Sequence, residues 1–533
     1  MALLERVQGS TIASVLAHRA TTEPERPFLL HGSGVLTYGQ VESRAEALAA
    51  GLHSLGIGSG DRVALILPCR PEFVIAFFAA AKLGAQVVPL NPRLTGPELQ
   101  YMLRHSEAAV AVTIETWHGV DYLQLFEDFL VQLPALEYAV TVGDEDLWYD
   151  DRIFQFEDLV SKGEGRDYVA GNPDPARDMF ALLYTSGTTG KPKGVELTQA
   201  NLLHAAAATV EMLGLREDDR IIGVTAFFHV FGIAPGLLGA LLSGAALVLQ
   251  EDFDGPATLD LVEKHGVTVH YGIPTFFVTE LQEQRRRPRD LSSLRVGLVA
   301  GSPASAGMIR EVSDELCPGL LVAYSLTETA STICMTSPED PGEKRHFTVG
   351  RPVAGAEVKV LDPGGAILPV ESVGEIVLRG PGVMRGYYRQ PRETAASFVH
   401  DGFLRTGDLG MVDEDGYVHL VGRGKDVIIR GGSTVHPREV EDRILAHPAV
   451  RAVVAVGVPD EVLGEAIFAC VALLEGAIVS GDELKDWCRK TLAGYKIPDT
   501  VRFMEEFPQT ATGKVRRSEL ARLLRDEMLN RSQ

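Results

Sequence analysis

The chain has 533 residues, of which 45% are hydrophobic and 23% charged, and it carries a formal net charge of −22. That length exceeds one ordinary core and predicts about three structural units. The balance is that of a soluble globular protein, and the acidity argues against general nucleic-acid binding while leaving room for a local cationic site. Five cysteines (Cys69, Cys317, Cys334, Cys470 and Cys488) are scattered and lack metal-ligand spacing. They point to a reducing, cytoplasmic setting. The N-terminus shows no signal-peptide core, and the C-terminal Arg-Ser-Gln is not a peroxisomal address. The apolar stretch 232–249 comes closest to membrane-spanning length, but Pro235 and several glycines interrupt it. It reads as buried core, so no membrane span is expected.

Residues 36–52 place apolar side chains at helical spacing. Strands follow at 61–67, 85–90 and 108–113, with helices at 72–83 and 95–105 between them. This βαβαβ order predicts a parallel sheet covered on both faces. Residues 143–166 are charged and irregular, with Asp144, Glu145 and Asp146 in sequence, and read as a surface excursion.

The densest local chemistry lies at 184–195, Tyr-Thr-Ser-Gly-Thr-Thr-Gly-Lys-Pro-Lys-Gly-Val. A buried strand at 179–183 precedes it. A helix with Thr198 as its N-cap follows. Thr185, Ser186, Thr188 and Thr189 supply hydroxyls, Gly187 and Gly190 let the backbone approach an anion, and Lys191 and Lys193 supply charge. Such a set suits a polyphosphate. The spacing is not that of a Walker A loop, because only two residues separate Gly187 from Gly190-Lys191. Pro192 blocks a continuous helix and places both lysines on a loop.

Strands at 220–225, 245–250, 267–271 and 295–300 make a second α/β unit. From about residue 348, short segments alternate with Gly and Pro and predict β-hairpins in a small β-rich unit. Residues 427–533 have their own strands (450–458, 466–474) and helices (438–446, 482–492), enough for a small separate domain. The expected division is 1–422, a linker at 423–426, and 427–533.

The segment 184–195 resembles the phosphate loop of the adenylate-forming superfamily, and further stretches in the same order strengthen the resemblance. They are Tyr324-Ser-Leu-Thr-Glu-Thr, Leu404-Arg-Thr-Gly-Asp, Gly422-Arg-Gly-Lys-Asp and Pro508-Gln-Thr-Ala-Thr-Gly-Lys. The family usually has Tyr where Leu404 stands. The resemblance implies a large N-terminal domain of two parallel-rich α/β subdomains plus a β-rich one, followed by a mobile α+β C-terminal domain. It implies that Thr185 and the loop bind phosphates, that Thr327 touches the phosphate region and that Tyr324 lies near adenine. Asp408 and Arg423 would meet the ribose, Lys514 the α-phosphate. Lys425 would be the hinge, and Arg430, Gly431 and Gly432 would face coenzyme A. Glu328 is the candidate Mg²⁺ ligand, since Mg²⁺ takes one or two protein carboxylates plus phosphate oxygens. Thr185, Glu328 and Lys514 are the catalytic candidates.

An acid pocket is expected from His229, Val230, Gly301, Ser302, Ala323, Tyr324, Ala330 and Cys334. No Asp lies at 226–232, which weighs against the amino-acid-activating branch. The resemblance therefore implies an ATP-dependent acid–CoA ligase using ATP, Mg²⁺ and coenzyme A. A medium-chain fatty acid is the expected substrate and an aryl or cyclic acid the alternative. Loading of a carrier protein, a luciferase-like oxygenase and a non-catalytic binding relative are the competing functions. A homodimer is the assembly considered.

Overall fold

The computed structural model describes residues 3–147, 150–185, 192–223, 225–430, 433–460, 463–509 and 515–531. Continuous apolar runs set its centre. The strands Arg62–Leu65, Val110–Ile114 and Ala246–Leu249 are buried along nearly their whole length, as strands are when helices cover both sheet faces. The helix Pro71–Leu83 starts on a proline, ends on Gly84 in the left-handed conformation, and is buried from Phe73 to Leu83. An apolar surface all round is what a fully enclosed helix requires.

Two large sheets form the N-terminal domain. In the eight-stranded sheet, Met179–Thr185 lies parallel to Gln86–Pro89, and the parallel run continues through Arg62–Leu65, Val110–Ile114 and Tyr138–Val142 to Ile153–Gln155. At the other edge Lys193–Thr198 and then Gly386–Tyr387 add as antiparallel strands. The nine-stranded sheet runs parallel from Pro27–His31 through Ala246–Leu249, Arg220–Gly223, Val269–Gly272 and Val296–Val299 to Leu320–Leu326. The two units read in sequence order are therefore interleaved. Pro27–His31 and Gly34–Thr37, a hairpin not anticipated from the sequence, belong to the later sheet, while the phosphate strand belongs to the earlier one.

The acidic segment 143–166 needs correction. Ile153–Gln155 completes the sheet edge, and the helix Phe156–Gly163 packs on the helix Tyr38–Ser54 through buried Phe156, Leu159 and Val160. The apolar residues recur at helical spacing, but the run of acids before them masked that signal. Arg44 pairs with Glu157 across the contact at 2.5 Å.

A four-stranded antiparallel sheet, Glu357–Leu361, Gly374–Arg379, Leu404–Val412 and Val418–Arg423, forms the β-rich unit. Beyond it Gly424–Asp426 make a 3₁₀ turn. The C-terminal domain is built on the long hairpin Val450–Asp460 with Gly464–Leu473. Alternation divides that hairpin's faces. Ala455, Ile467 and Ala469 pack with Val440, Ile444 and Leu484, while Val454, Val456 and Phe468 pack with Leu520 and Leu524. The strand Thr500–Phe503 and the helix Arg517–Arg531 are additions to the sequence reading. The stretch 232–249 is core, as expected: Gly232–Leu238 is a buried π-helical turn and Ala246–Leu249 a buried strand. Among the described residues no helix is long and apolar enough to cross a membrane.

All five cysteines are free and buried. Burial pushes the thiols of Cys69, Cys317 and Cys470 up to about 12, which keeps them protonated and unreactive.

The helix-on-helix contact can be tested at one glycine. A Cβ on Gly163 would lie 1.9 Å from the Ala47 carbonyl oxygen. Gly163→Ala should therefore destabilise the N-terminal domain by about 1–3 kcal/mol or more, read as a lower urea midpoint. Gly307→Ala, in the helix Ala306–Glu315 where an added carbon meets nothing within 4 Å, is the control and should not lower the midpoint.

Candidate active site

The strands on either side of the phosphate segment form an antiparallel pair. Met179–Thr185 and Lys193–Thr198 pair in register, with Thr185 opposite Lys193 and Tyr184 opposite Gly194. Lys193 thus opens a strand instead of sitting on the loop. Ser186, Gly187, Thr188, Thr189, Gly190 and Lys191 lie outside the described residues. The strand end that leads into the segment is anchored. The Tyr184 hydroxyl sits 2.8 Å from His105 Nδ1 and 3.2 Å from the Met102 carbonyl oxygen, both on the helix Gly96–Ser106. Thr198 caps the following helix Gln199–Leu213, accepting from Asn201 N, with the Asn201 side chain returning the bond.

Glu328 follows the strand Leu320–Leu326 on a 3₁₀ turn, Thr327–Thr329. Its carbonyl oxygen accepts from Met384 N at 2.9 Å, and its Oε1 accepts from the Tyr387 hydroxyl at 2.9 Å. The same tyrosine ring lies 4.7 Å from Lys193 Nζ. Ala330 and Ser331, directly after the turn, both adopt positive φ (54° and 107°). Non-glycine residues there store strain of the kind that collects at functional turns. Among the described residues Glu328 Oε2 has no partner, so one carboxylate oxygen is free for a hard cation.

Asp408 and Arg423 stand opposite each other on paired strands. Arg423 Nε donates to Asp408 Oδ1 at 2.9 Å, and the Tyr324 hydroxyl donates to Oδ2 at 2.5 Å. Asp408 is only 6% exposed, and its backbone N–H donates to the Thr406 hydroxyl at 3.0 Å. Burial, with the Asp408 charge beside it, pushes the Tyr324 phenol well above its usual range. It therefore stays protonated and donates. Both Asp408 oxygens are oriented, yet a carboxylate has about four lone-pair sites, so it could accept further hydrogen bonds.

The expected pocket residues divide by exposure. Val230, Ala323, Tyr324, Ala330 and Cys334 are buried, with Tyr324 opposite Cys334 on paired strands. Gly301, at φ 84°, Ser302 and His229 are exposed. Aromatic rings gather nearby, with Phe231 and Tyr271 6.0 Å apart. A cleft of about 600 Å³ lined by Met212, Met335, Lys344, Arg351 and Tyr417 contains none of these residues. Its lysine is already paired with Asp413.

In the C-terminal domain Arg430 is held by Asp499, with Nε to Oδ2 at 2.9 Å, so its guanidinium is tied within its own domain. Gly431, Gly432 and Lys514 lie outside the described residues, as does the side chain of Lys425. The flanks of the Lys514 segment meet, since Gln509 pairs with Val515 and Arg516 N donates to the Pro508 carbonyl. Arg517 then clamps Glu441 through two bonds.

The sequence reading did not single out Tyr387, Thr406 or Arg517. The only signal for Tyr387 was an aromatic pair between two arginines, Arg385-Gly-Tyr-Tyr-Arg389.

The model of the AMP-binding enzyme family matches residues 16–388, and that of the AMP-binding enzyme C-terminal domain matches 439–514. The chain belongs to this family. A long-chain-fatty-acid–CoA ligase of Bacillus subtilis is 33% identical to this AMP-binding enzyme over 98% of the chain and 95% of the relative. An anthranilate CoA ligase solved with anthranoyl-AMP aligns with a TM-score of 0.90 and 28% identity, over 98% of this chain and 99% of that one. The o-succinylbenzoate coenzyme A synthetase of Bacillus subtilis, solved with ATP and a magnesium ion, aligns with a TM-score of 0.81 and 30% identity, over 95% and 98%. The enzyme is thus of the acyl-CoA synthetase branch, an AMP-forming acid–thiol ligase.

The Asp408 arrangement gives a direct test. Asp408→Asn removes the charge that holds Arg423. A hydrogen bond to a charged group contributes about 1.5–3 kcal/mol, so KM for ATP should rise about 10- to 100-fold in pyrophosphate exchange, with KM for the acid unchanged. An unchanged KM for ATP would remove Asp408 from the nucleotide site.

Proposed function

We propose that this enzyme activates an apolar carboxylic acid with ATP and passes the acyl group to the thiol of coenzyme A. The observation that carries the reading is the approach of Glu328 and Lys193 to a common ring, Tyr387, which sets a metal-binding carboxylate beside the phosphate hairpin.

In the first half-reaction a carboxylate oxygen of the acid attacks the α-phosphorus of ATP, and pyrophosphate leaves. Thr185, Ser186–Lys191 and Lys193 hold the β- and γ-phosphates. Bound Mg²⁺ would supply charge neutralisation on the phosphate oxygens, and Glu328, whose Oε2 has no partner among the described residues, is the residue that would hold it. Tyr324 and Thr327 border the nucleotide, while Asp408, oriented by Tyr324 and Arg423, accepts from the ribose hydroxyls. Lys514 meets the charge developing at the α-phosphate, a task that suits a compact cation. In the second half-reaction the thiol sulfur attacks the acyl carbonyl, the C–O bond of the mixed anhydride breaks, and AMP leaves.

The domain division is 1–422 and 427–533 about a hinge at Lys425. Three facts support it. Val418 closes the N-terminal core, Ile428 opens a separate one, and a short 3₁₀ turn joins them. Rotation there would withdraw Lys514 and bring the 430–435 segment to the acceptor thiol, as a hinge at an element terminus allows. Buried, protonated thiols suit a cytoplasmic location.

The acid is a medium-chain fatty acid in this reading, because the buried pocket residues Val230, Ala323, Ala330 and Cys334 are small and uncharged. The aromatic rings of Phe231 and Tyr271 favour an aryl or cyclic acid as the second reading.

Lys514→Ala is expected to slow acyl-AMP formation about a hundred- to a thousandfold and to spare thioester formation from supplied acyl-AMP. Lys425→Pro should do the reverse in the same two assays. Equal loss of both half-reactions in either variant contradicts these roles. A panel of acids ranked by kcat/KM should peak at a medium-chain fatty acid. The steps between neighbours should be modest, since one methylene in an apolar pocket is worth about 1–3 kcal/mol. A peak at an aryl acid selects the second reading.

A further inference from the structure

Tyr387 belongs to none of the motifs that identify the family in this sequence, yet it touches two of them. Its hydroxyl donates to Glu328 Oε1 at 2.9 Å, and its ring lies 4.7 Å from Lys193 Nζ. The segment that carries it is fixed at every step. Gly386 and Tyr387 pair with Glu196 and Val195 as the outermost strand of the eight-stranded sheet. Arg385 N donates to the Glu196 carbonyl at 3.0 Å, and Tyr388 N to the Gly194 carbonyl at 2.8 Å. Tyr387 N donates to the Thr394 hydroxyl at 2.9 Å. Arg389 closes the segment with two bonds to Glu107, at 2.7 and 2.8 Å.

That bracing has a chemical consequence. A glutamate side chain loses rotamer freedom when it takes up a ligand, and a partner that orders it beforehand moves the loss into folding. A bond to Oε1 alone does this while leaving Oε2 open. The ring acts separately on the lysine. A cation held over an aromatic face keeps its charge and its N–H donors, so Lys193 is aimed without being neutralised.

We propose that Tyr387 is a positioning residue that locks the metal carboxylate and the phosphate lysine into one unit, its hydroxyl setting Glu328 and its ring setting Lys193. This rests on the reading of Glu328 as the metal ligand. The two contacts separate by substitution: Tyr387→Phe keeps the ring and removes the hydroxyl, whereas Tyr387→Leu removes both.

The test uses the full-length enzyme with α,β-methylene-ATP, which cannot be cleaved at the α-phosphate, and Mn²⁺ as a paramagnetic probe. Free Mn²⁺ is read by electron paramagnetic resonance, and nucleotide binding is also measured in EDTA. Outer-shell partners of metal ligands typically alter affinity 10- to 100-fold. Tyr387→Phe should therefore raise the apparent Kd for Mn²⁺ about tenfold, with nucleotide binding in EDTA and the thermal midpoint unchanged. Tyr387→Leu should also weaken nucleotide binding in EDTA. Glu328→Gln should weaken Mn²⁺ binding at least as much as Tyr387→Phe, and the double variant no further. Normal Mn²⁺ binding by Tyr387→Phe beside weakened binding by Glu328→Gln overturns the role of Tyr387 and leaves Glu328 as ligand. Normal Mn²⁺ binding by Glu328→Gln overturns the ligand reading itself. Independent, multiplying losses in the double variant, or equal losses with and without metal, reduce Tyr387 to a structural residue.

Discussion

The structure turns on one antiparallel edge. Lys193–Thr198 pairs with the phosphate strand on one side and with Gly386–Tyr387 on the other. Without that second pairing, a segment nearly two hundred residues downstream would have no reason to return to the hairpin. With it, Arg385 and Arg389 find Glu196 and Glu107, Met384 N reaches the Glu328 carbonyl, and the β-rich sheet carrying Asp408 and Arg423 is tethered between its second and third strands. Backbone hydrogen bonds do this without regard to side-chain identity. That leaves Tyr387 free to be chosen for its hydroxyl and ring.

The nine-stranded sheet meets the same edge from the other direction. Its last parallel strand, Leu320–Leu326, ends in the turn that presents Glu328. Ligands of α/β sheets gather beyond the carboxyl ends of strands, and here such ends from both sheets supply neighbouring groups. Thr185 comes from the eight-stranded sheet, Tyr324 and Glu328 from the nine-stranded one. The strand Leu404–Val412 adds Asp408 from a third sheet. Three sheets thus contribute residues to the proposed site, each held by its own ladder.

Much of this was legible in the residues. The parallel strands announced themselves as short apolar runs, and the order of the glycine- and threonine-rich segments identified the family before any coordinates. What was not legible depended on contacts between distant positions. Nothing near Tyr324 says that its hydroxyl donates to a carboxylate 84 residues on. Nothing near Tyr387 says that its strand pairs with residues 195 and 196. The interleaving of the sheets was hidden for a similar reason. Apolar runs specify strands but not which sheet receives them, so Pro27–His31 could not be assigned to its neighbour Ala246–Leu249 by pattern alone. The helix Phe156–Gly163 was obscured by composition, since acids upstream of it outweighed three apolar residues. Lys514 is the reverse case, identified by motif and outside the described residues.

The burial of all five cysteines has a practical corollary. With every native thiol enclosed and protonated, a maleimide reagent at neutral pH meets no ready competitor on the folded enzyme. A single cysteine introduced on the exposed face of each domain would thus carry a fluorophore or spin label with little native background. The two halves of this ligase could then be followed relative to each other in solution through a turnover, using the native chain with no thiol removed.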